Sequence, residues 1–353
     1  MNAPVAIAAS VRVADLGDAA ERARIDDFVR AHPDGAIFHR PHWSRAVERG
    51  CRQRAHYLVA ERAGALVGCL PLTEVRSPLF GNALVSAGFG TGGGILAEDE
   101  LAEARLAEAG WALALELGCG SLELRGGPVP DGFTAESGIY ANFDRDLPGD
   151  AEALLASIPR RQRTEVRRAL ESELESSAGS DDAHRAAHFR VYAESVRNLG
   201  TPVFPRTLFA AMLDEFGEDA DIVLVRNGGE PVAALLNFYF KGSCQPFWGG
   251  GTFAARSCRA NDLVYYEVMR RAIERGCTRA DFGRSKVGTG PWSRKRIWGF
   301  DEAPIVHAVR AADGAARAIN PLDAKYRLKI EAWKRLPLWA ANRIGPWIAR
   351  GLG

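Results

Sequence analysis

The stretch DFGRSKVGTGPWSRKRIWGF, Asp281 to Phe300, concentrates groups that can do chemistry. Arg284 and Lys286 alternate at what reads as a strand end, which puts them on one face. Arg294, Lys295 and Arg296 follow, and Gly283, Gly288 and Gly290 would let the backbone approach a ligand. Such a set suits a phosphate, a carboxylate or a developing oxyanion. Acyl transfer to an amine builds an oxyanion, which a preorganised cation stabilises, and it needs a base or a water chain to take the amine proton. Lys295 is the expected partner of the oxyanion or of a substrate carboxylate. Arg284, Ser285 and Lys286 are the expected substrate ligands, and Asp281 the orienting carboxylate or base. Tyr239, in LLNFYF, is placed to protonate a leaving group, and Trp248, Trp292 and Trp298 to line a pocket. Each has a structural alternative: solvated loop cations, a strand-end carboxylate, core aromatics. No Ser-His-Asp or Cys-His order stands out, so a covalent acyl-enzyme is not expected.

A second basic run lies in SIPRRQRTEVRRALESELE, 157–175, read as a connector helix that extends to about 178. Ser157 can cap it and Pro159 suits its first turn. Arg160, Arg163 and Arg167 are the candidate anion ligands there; a solvated helix with pairs such as Glu165 with Arg168 is the plainer reading. Cations at a helix N-terminus oppose the macrodipole. The GTGGG run ending at Gly94 lacks the Gly-Lys-Ser/Thr ending of a phosphate loop and reads as a bulged strand. His184 and His188 have the i,i+4 spacing of metal ligands but no third ligand, so no metal is expected.

The elements that carry these residues come in duplicate. ERAGALVGCLPL (61–72) and VRNGGEPVAALLNF (225–238) both read as strand, glycine turn, strand, with Gly64 matching Gly229. GFGTGGGIL matches PFWGGGTFA, WALALELGCGSLELRG matches YEVMRRAIERGCTRADFGR, and RPHWSRAV matches FPRTLFAA, in the same order. A repeated unit of ~160 residues is domain-sized rather than a solenoid repeat. Each unit reads as helix, β-hairpin, glycine-marked strand, long helix, short strand. In the second, Asn261 is the expected N-cap and Gly276 the C′ residue of the long helix. The expected fold is α/β or α+β, with mostly antiparallel sheets, one β-α-β crossover per unit and flanking helices. The expected domains are 1–150, 151–320 and a tail, 321–353.

Length and composition agree with this. The chain has 353 residues, 47% hydrophobic and 25% charged, which suits two soluble domains. A formal net charge of +1 gives no global field for nucleic acid, and DNA is not an expected partner. The six cysteines form no C-x-x-C pair, and a reducing, cytoplasmic compartment is expected. The N-terminal MNAPVAIAASVRVADLGD does not read as a secretory signal. The tail carries Lys325, Arg327, Lys329, Lys334, Arg335, Arg343 and Arg350 against Asp323 and Glu331, with Trp333, Trp339 and Trp347 interleaved. That suits either peripheral contact with the inner face of a membrane or a helix docked on the body.

The segments LGTPVFP (199–205), ANDLVYYEVMRRAIERG (260–276), DFGRSKVGTG (281–290) and the Lys295…Trp298-Gly299-Phe300 ending resemble FemAB-related proteins. With IPRRQRTEVRRAL and NPLDAKYRLKIEAWKRLPLWAANRIGP, the chain more narrowly resembles FemAB-like proteins associated with exosortase/PEP-CTERM and exopolysaccharide clusters. The resemblance implies two tandem GNAT folds and direct N-acyl transfer to an amine of a cell-envelope or exopolysaccharide precursor. It implies no tightly bound cofactor, an acyl-CoA or aminoacyl-tRNA co-substrate, and a small-molecule or lipid-linked glycan or peptide acceptor. In the family a Phe-Lys pair closes the second unit, and its lysine stabilises negative charge. Here the lysine is Lys295, and Arg294 stands in the aromatic's place. The long helical arm of the tRNA-dependent members has only 160–178 as a counterpart, so tRNA is the less expected donor. The alternative is a non-catalytic scaffold for exopolysaccharide or PEP-CTERM surface assembly.

Overall fold

The computed structural model describes residues 9–78, 81–312 and 324–353, with side chains from 328 in the last stretch. The expectations for residues 1–8, Asp323, Lys325 and Arg327 lie outside the described residues and side chains. The chain divides into two units: 1–137 with 306–319 and 350–353, and 138–305 with 320–349.

The first unit begins with β1 (Ser10–Val13), α1 (Ala19–Ala31) and α2 (Pro41–Cys51). A hairpin follows, β2 (Arg54–Arg62) and β3 (Ala65–Ser77), then β4 (Gly81–Ser86) and the short β5 (Leu96–Ala97). The helix α3 (Glu100–Glu116) crosses over to β6 (Ser121–Arg125), and β7 (Thr134–Glu136) ends the run. Asp99 caps α3 by accepting from Ala102 N, and Gly118 leaves it at φ 67°. Strand β3 is buried along almost its whole length, and Leu70, Leu72, Leu84, Leu106 and Leu122 form the core.

The second unit starts with β8 (Tyr140–Asp146), α4 (Ala151–Ser157), α5 (Arg160–Leu170) and β9 (Leu174–Gly179). Then the first unit's order returns: α6 (Asp182–Leu199), α7 (Arg206–Phe216), the hairpin β10 (Ala220–Asn227) and β11 (Glu230–Phe240), β12 (Ser243–Gly251), α8 (Ala260–Glu274) and β13 (Arg279–Lys286). A short helix α9 (Gly290–Ile297) leads to β14 (Asp301–Pro304). Both hairpins turn on two residues with positive φ, Ala63-Gly64 at 49° and 83° and Gly228-Gly229 at 55° and 79°. Those angles match the twist of the paired strands, which is why the glycine signal recurs. Pro41 and Pro205 both stand where a helix begins, and Gly118 and Gly276 both follow the crossover helix.

The strand β15 (His307–Ala311) follows β14, and α10 (Ala324–Lys334) and α11 (Leu338–Ala349) complete the chain. The sheets run β1-β2-β3-β4-β6-β15-β7, with β5 beside β3, and β14-β8-β13-β12-β11-β10-β9. In each, one parallel pair joins strands linked by the crossover helix, β4 with β6 and β12 with β13. This is the expected fold class. The units, however, part at Ser137 and Ile305 rather than at 150 and 320. The reason is pairing: β8 lies before the second repeat yet sits between β14 and β13, and β15 lies after it yet sits between β6 and β7.

Three local expectations are corrected. The connector is not one helix to about 178: α4 ends at Ser157, α5 covers Arg160–Leu170, and after a turn Leu174–Gly179 forms β9 along β10. The glycines before Ile95 form a loop, not a bulged strand, because β4 stops at Ser86. Asn261 lies inside the first turn of α8, whose N-cap is Arg259 at φ 64° with no side-chain cap.

Candidate active site

The parallel pair of the second unit holds for two positions only, Ser243 with Arg279 and Cys244 with Ala280. Beyond them β12 stays paired with β11, and β13 stays paired with β8. The edges that would face each other, Gln245 onward and Asp281 onward, are therefore outside any shared ladder, and the two strands open a wedge. Strand edges outside a ladder can bind an extended ligand, although here several of their main-chain groups are held by side chains, Trp248 O by His188 and the Phe282, Gly283 and Arg284 carbonyls by Lys295. The first unit has the same short pairing, Leu84 with Leu122 and Val85 with Glu123. There the glycine loop fills the opening. Gly94 N donates to Arg125 O at 3.0 Å, and the buried Arg125 Nη1 donates to Gly90 O at 3.1 Å. A side chain at Gly94 would overlap Gly126 O. In the second unit the matching glycines continue β12, packed so closely that a Cβ at Gly249 would overlap Ala234 O and one at Gly250 would overlap Ser195.

Asp281 is the first residue of β13 past the paired stretch. Its Oδ1 accepts from Asn142 Nδ2 at 3.0 Å and from Gly283 N at 2.9 Å. Burial pushes its pKa above the ordinary carboxylate value, opposed by those hydrogen bonds and by the charge of Lys295. The strand bulges between Asp281 and Arg284 against β8, with Gly283 at φ 62°.

Lys295 holds that bulge. Its Nζ, on α9, donates to the carbonyls of Phe282 at 2.5 Å, Gly283 at 3.0 Å and Arg284 at 3.3 Å. An ammonium has three protons, so all are committed and none is left for an acyl oxygen in this arrangement. The side chain is 6% exposed, and burial lowers its pKa to about 8. The expectation of a cation facing substrate is corrected: three converging carbonyls are the stronger acceptor set. Arg294 donates from Nη2 to Asp262 Oδ1 at 2.7 Å and lies over the Tyr265 ring.

The other expected residues divide. Arg284 lies over the Tyr140 ring at 4.8 Å, and Arg284 and Lys286 are half-buried while Ser285 is buried, so the two cations do share a face. Tyr239 does not join them. It lies level with Cys244 on the paired end of the sheet, buried, donating to Asp221 Oδ1 at 2.9 Å, and burial raises its pKa. Trp248 and Trp298 are core residues, packed on Phe209 and on Tyr265. Trp292 donates to Glu302 Oε1 at 2.8 Å. On α5, Arg163 donates to Ala156 O, whereas Arg160 and Arg167 are exposed. His184 and His188 do not converge: His184 meets Asp181, and His188 Nε2 lies 2.8 Å from Trp248 O. A cavity of about 130 Å³ lined by Asp182, Arg185, His188, Arg206 and Phe209 lies between α6 and α7. The sequence reading missed Asn142 and Asp262. Asn142 announces itself only through the β8–β13 register; Asp262 had a signal in a carboxylate at the α8 start with Arg294 close downstream.

Residues 159–293 match the model of the acetyltransferase (GNAT) domain family. The matched span lies in the second unit and includes both strands of the wedge. None of the curated proteins matches the chain. Among solved structures the chain is similar to FemX, with a TM-score of 0.65 and 16% identity over 84% of this chain and 96% of that one. It is also similar to the C-terminal domain of a putative lysylphosphatidylglycerol synthetase from Agrobacterium fabrum, at 0.56 and 12% over 82% and 92%. A tandem GNAT protein from the clavulanic acid biosynthesis pathway aligns at 0.55 and 12% over 87% and 99%. At such identities the likeness is one of fold: two tandem GNAT-like units.

Proposed function

We propose that the chain is a direct N-acyltransferase whose second unit holds the acyl donor in the wedge between β12 and β13. The observation that carries this is the contrast between the two wedges: one is filled by its own glycine loop, while in the other, within the family match, β12 and β13 share no ladder beyond Cys244 and Ala280. An extended thioester or ester donor would lie along those edges. A main-chain N–H aimed at the acyl oxygen would stabilise the tetrahedral oxyanion by about 3 kcal/mol, the cost of removing one such donor elsewhere. The acceptor amine attacks the acyl carbon and a C–N bond forms. Asp281 takes the amine proton, the C–S or C–O bond breaks, and that proton passes from Asp281, directly or through water, to the departing thiolate or alkoxide. Lys295 is a positioning residue that fixes the carbonyls of the bulge and keeps a positive charge near Asp281. Arg284 and Lys286 bind the anionic part of a substrate, with Arg160 and Arg167 available to a larger one.

Acyl-CoA is the favoured donor. The helix that could serve as a tRNA arm is only α5, Arg160–Leu170, before the chain turns into β9. The acceptor is an amine on a small-molecule or lipid-linked glycan or peptide precursor. The narrower placement among exosortase/PEP-CTERM- and exopolysaccharide-associated proteins rests on the sequence resemblance of 157–353. FemX and the lysylphosphatidylglycerol synthetase domain support the acyl or aminoacyl class by fold.

The second reading, a scaffold that has lost chemistry, draws on the committed Lys295 donors and on Arg294. Incubation with acyl-CoAs and charged tRNAs, then mass spectrometry of amine acceptors, separates the two. The transferase reading expects an acylated amine with at least one donor, lost in Asp281→Asn. A folded protein inert toward every donor and acceptor supports the scaffold.

A further inference from the structure

Helix α11 is amphipathic in the unusual sense. Its buried side is Ala341, Gly345 and Ala349, spaced i, i+4, i+8, and Gly345 lies so close to Val203 that a Cβ would meet Val203 N at 2.9 Å. Its outward side carries the large residues: Trp339 is 73% exposed, Trp347 50% and Ile344 44%, with Arg343 exposed among them. A helix docked only for stability would bury the tryptophans and expose the alanines, because burial scales with apolar area. The neighbouring surface continues the pattern. Leu328 on α10 is 79% exposed and Leu199, at the end of α6, 52%. Gly200 touches Ile330, and Arg197 donates to Lys334 O, so α10 lies against that end of α6. Along 328–349, Lys329, Lys334, Arg335 and Arg343 stand against the single carboxylate Glu331, itself paired with Lys334.

We infer that this face, Trp339, Ile344 and Trp347 with Arg335 and Arg343, docks peripherally on an anionic phospholipid bilayer. Tryptophan is the side chain that settles at the boundary between headgroups and acyl chains, with its ring in the apolar layer and its N–H in the wet one. Basic residues among exposed apolar ones complement anionic headgroups, each adding about fivefold in affinity near the surface. A protein partner of matching acidity would need the same cations but not two tryptophans flanking an arginine on a convex helix. No described helix is long and apolar enough to cross a membrane, so the contact is superficial. The inference stands apart from the acyl-transfer reading, which a soluble acceptor would satisfy equally.

The test is flotation of the full chain with vesicles of phosphatidylglycerol and phosphatidylcholine, and with phosphatidylcholine alone. The protein should float with the anionic vesicles and be released by high salt. Trp339→Ala/Trp347→Ala and Arg335→Glu/Arg343→Glu should each weaken binding at least tenfold, while Leu115→Ser, at an exposed site on α3, leaves it unchanged. Circular dichroism melts check that the variants fold. Equal recovery in the soluble fraction for the unaltered chain overturns the inference, as does binding indifferent to both double variants. Sedimentation of the chain as a dimer that the tryptophan variant dissolves, without vesicle binding, also overturns it, in favour of a second copy on this face.

Discussion

The ammonium of Lys295 lies 2.5 Å from the carbonyl oxygen of Phe282, with two more carbonyls of the same bulge within 3.3 Å. A buried lysine so placed has a pKa lowered to about 8, against 10.5 in the unfolded chain. Between those values the unfolded chain holds a proton that the folded chain has shed, so this group's contribution to stability rises with pH. Relative to Lys295→Met, the natural protein should gain up to about 3 kcal/mol from pH 8 to 10.5. Denaturant midpoints of the two proteins across that range measure the difference; a constant gap would mean that the ammonium is solvated.

Asp281 supplies the second prediction. Asp281→Asn should lower kcat/KM by roughly 10²–10⁴-fold, the scale of a general base. Burial raises the Asp281 pKa and the Lys295 charge lowers it. The acid limb of the rate profile should therefore lie above the ordinary carboxylate range, and Lys295→Met should move it to still higher pH. A profile unmoved by Lys295→Met, with turnover retained, would leave Lys295 no part in positioning the base.

Arg294 and Asp262 are predicted to be coupled. Burial raises the Asp262 pKa, and Arg294 opposes it. Arg294→Phe should destabilise the fold by about 1–3 kcal/mol by leaving a half-buried carboxylate without its charged partner, with only Gln162 donating to it. Asp262→Asn should recover most of that loss. A double-mutant cycle by thermal melting reads the coupling, and strictly additive effects would deny it.

Much of the fold was legible because duplication repeats its local physics. Gly64 and Gly229 recur since the same two-residue turn demands positive φ twice, and Gly118 and Gly276 since each crossover helix needs a left-handed exit. The placement of β8 and β15 was not legible: Tyr140–Asp146 pairs with a strand more than a hundred residues away, and nothing in its own alternation names that partner. The site was read in outline only. Asp281, Arg284 and Lys286 stand on one strand, as the spacing implied. Lys295 was misread because its acceptors arise from a bulge centred on Gly283, which exists only once β13 meets β8. Tyr239, Trp248 and Trp298 are core because β11 is covered on both faces, alternate positions of β12 face inward, and the end of α9 is packed.

His188 gives a pH-dependent prediction of the opposite flank. It is fully buried, its Nε2–H donates to Trp248 O, and burial lowers its pKa to about 4 from 6.5. The unfolded chain takes up a proton between pH 6.5 and 4 that the folded chain refuses, so stability falls as pH falls. Relative to His188→Gln, which keeps a donor for Trp248 O, the natural protein should lose about 3 kcal/mol over that interval. Urea midpoints that fall in parallel would show His188 to be accessible to protons in the fold.

The account turns on the wedge of the second unit. Hydrogen–deuterium exchange of the full chain, with and without acetyl-CoA, longer acyl-CoAs and aminoacyl-tRNA, tests it most directly. Protection should appear in 245–251 and 281–286 with at least one donor, and 88–97 and 121–126 should exchange as before. Protection confined to the first unit's glycine loop, or none with any donor while the protein is folded, would contradict the account.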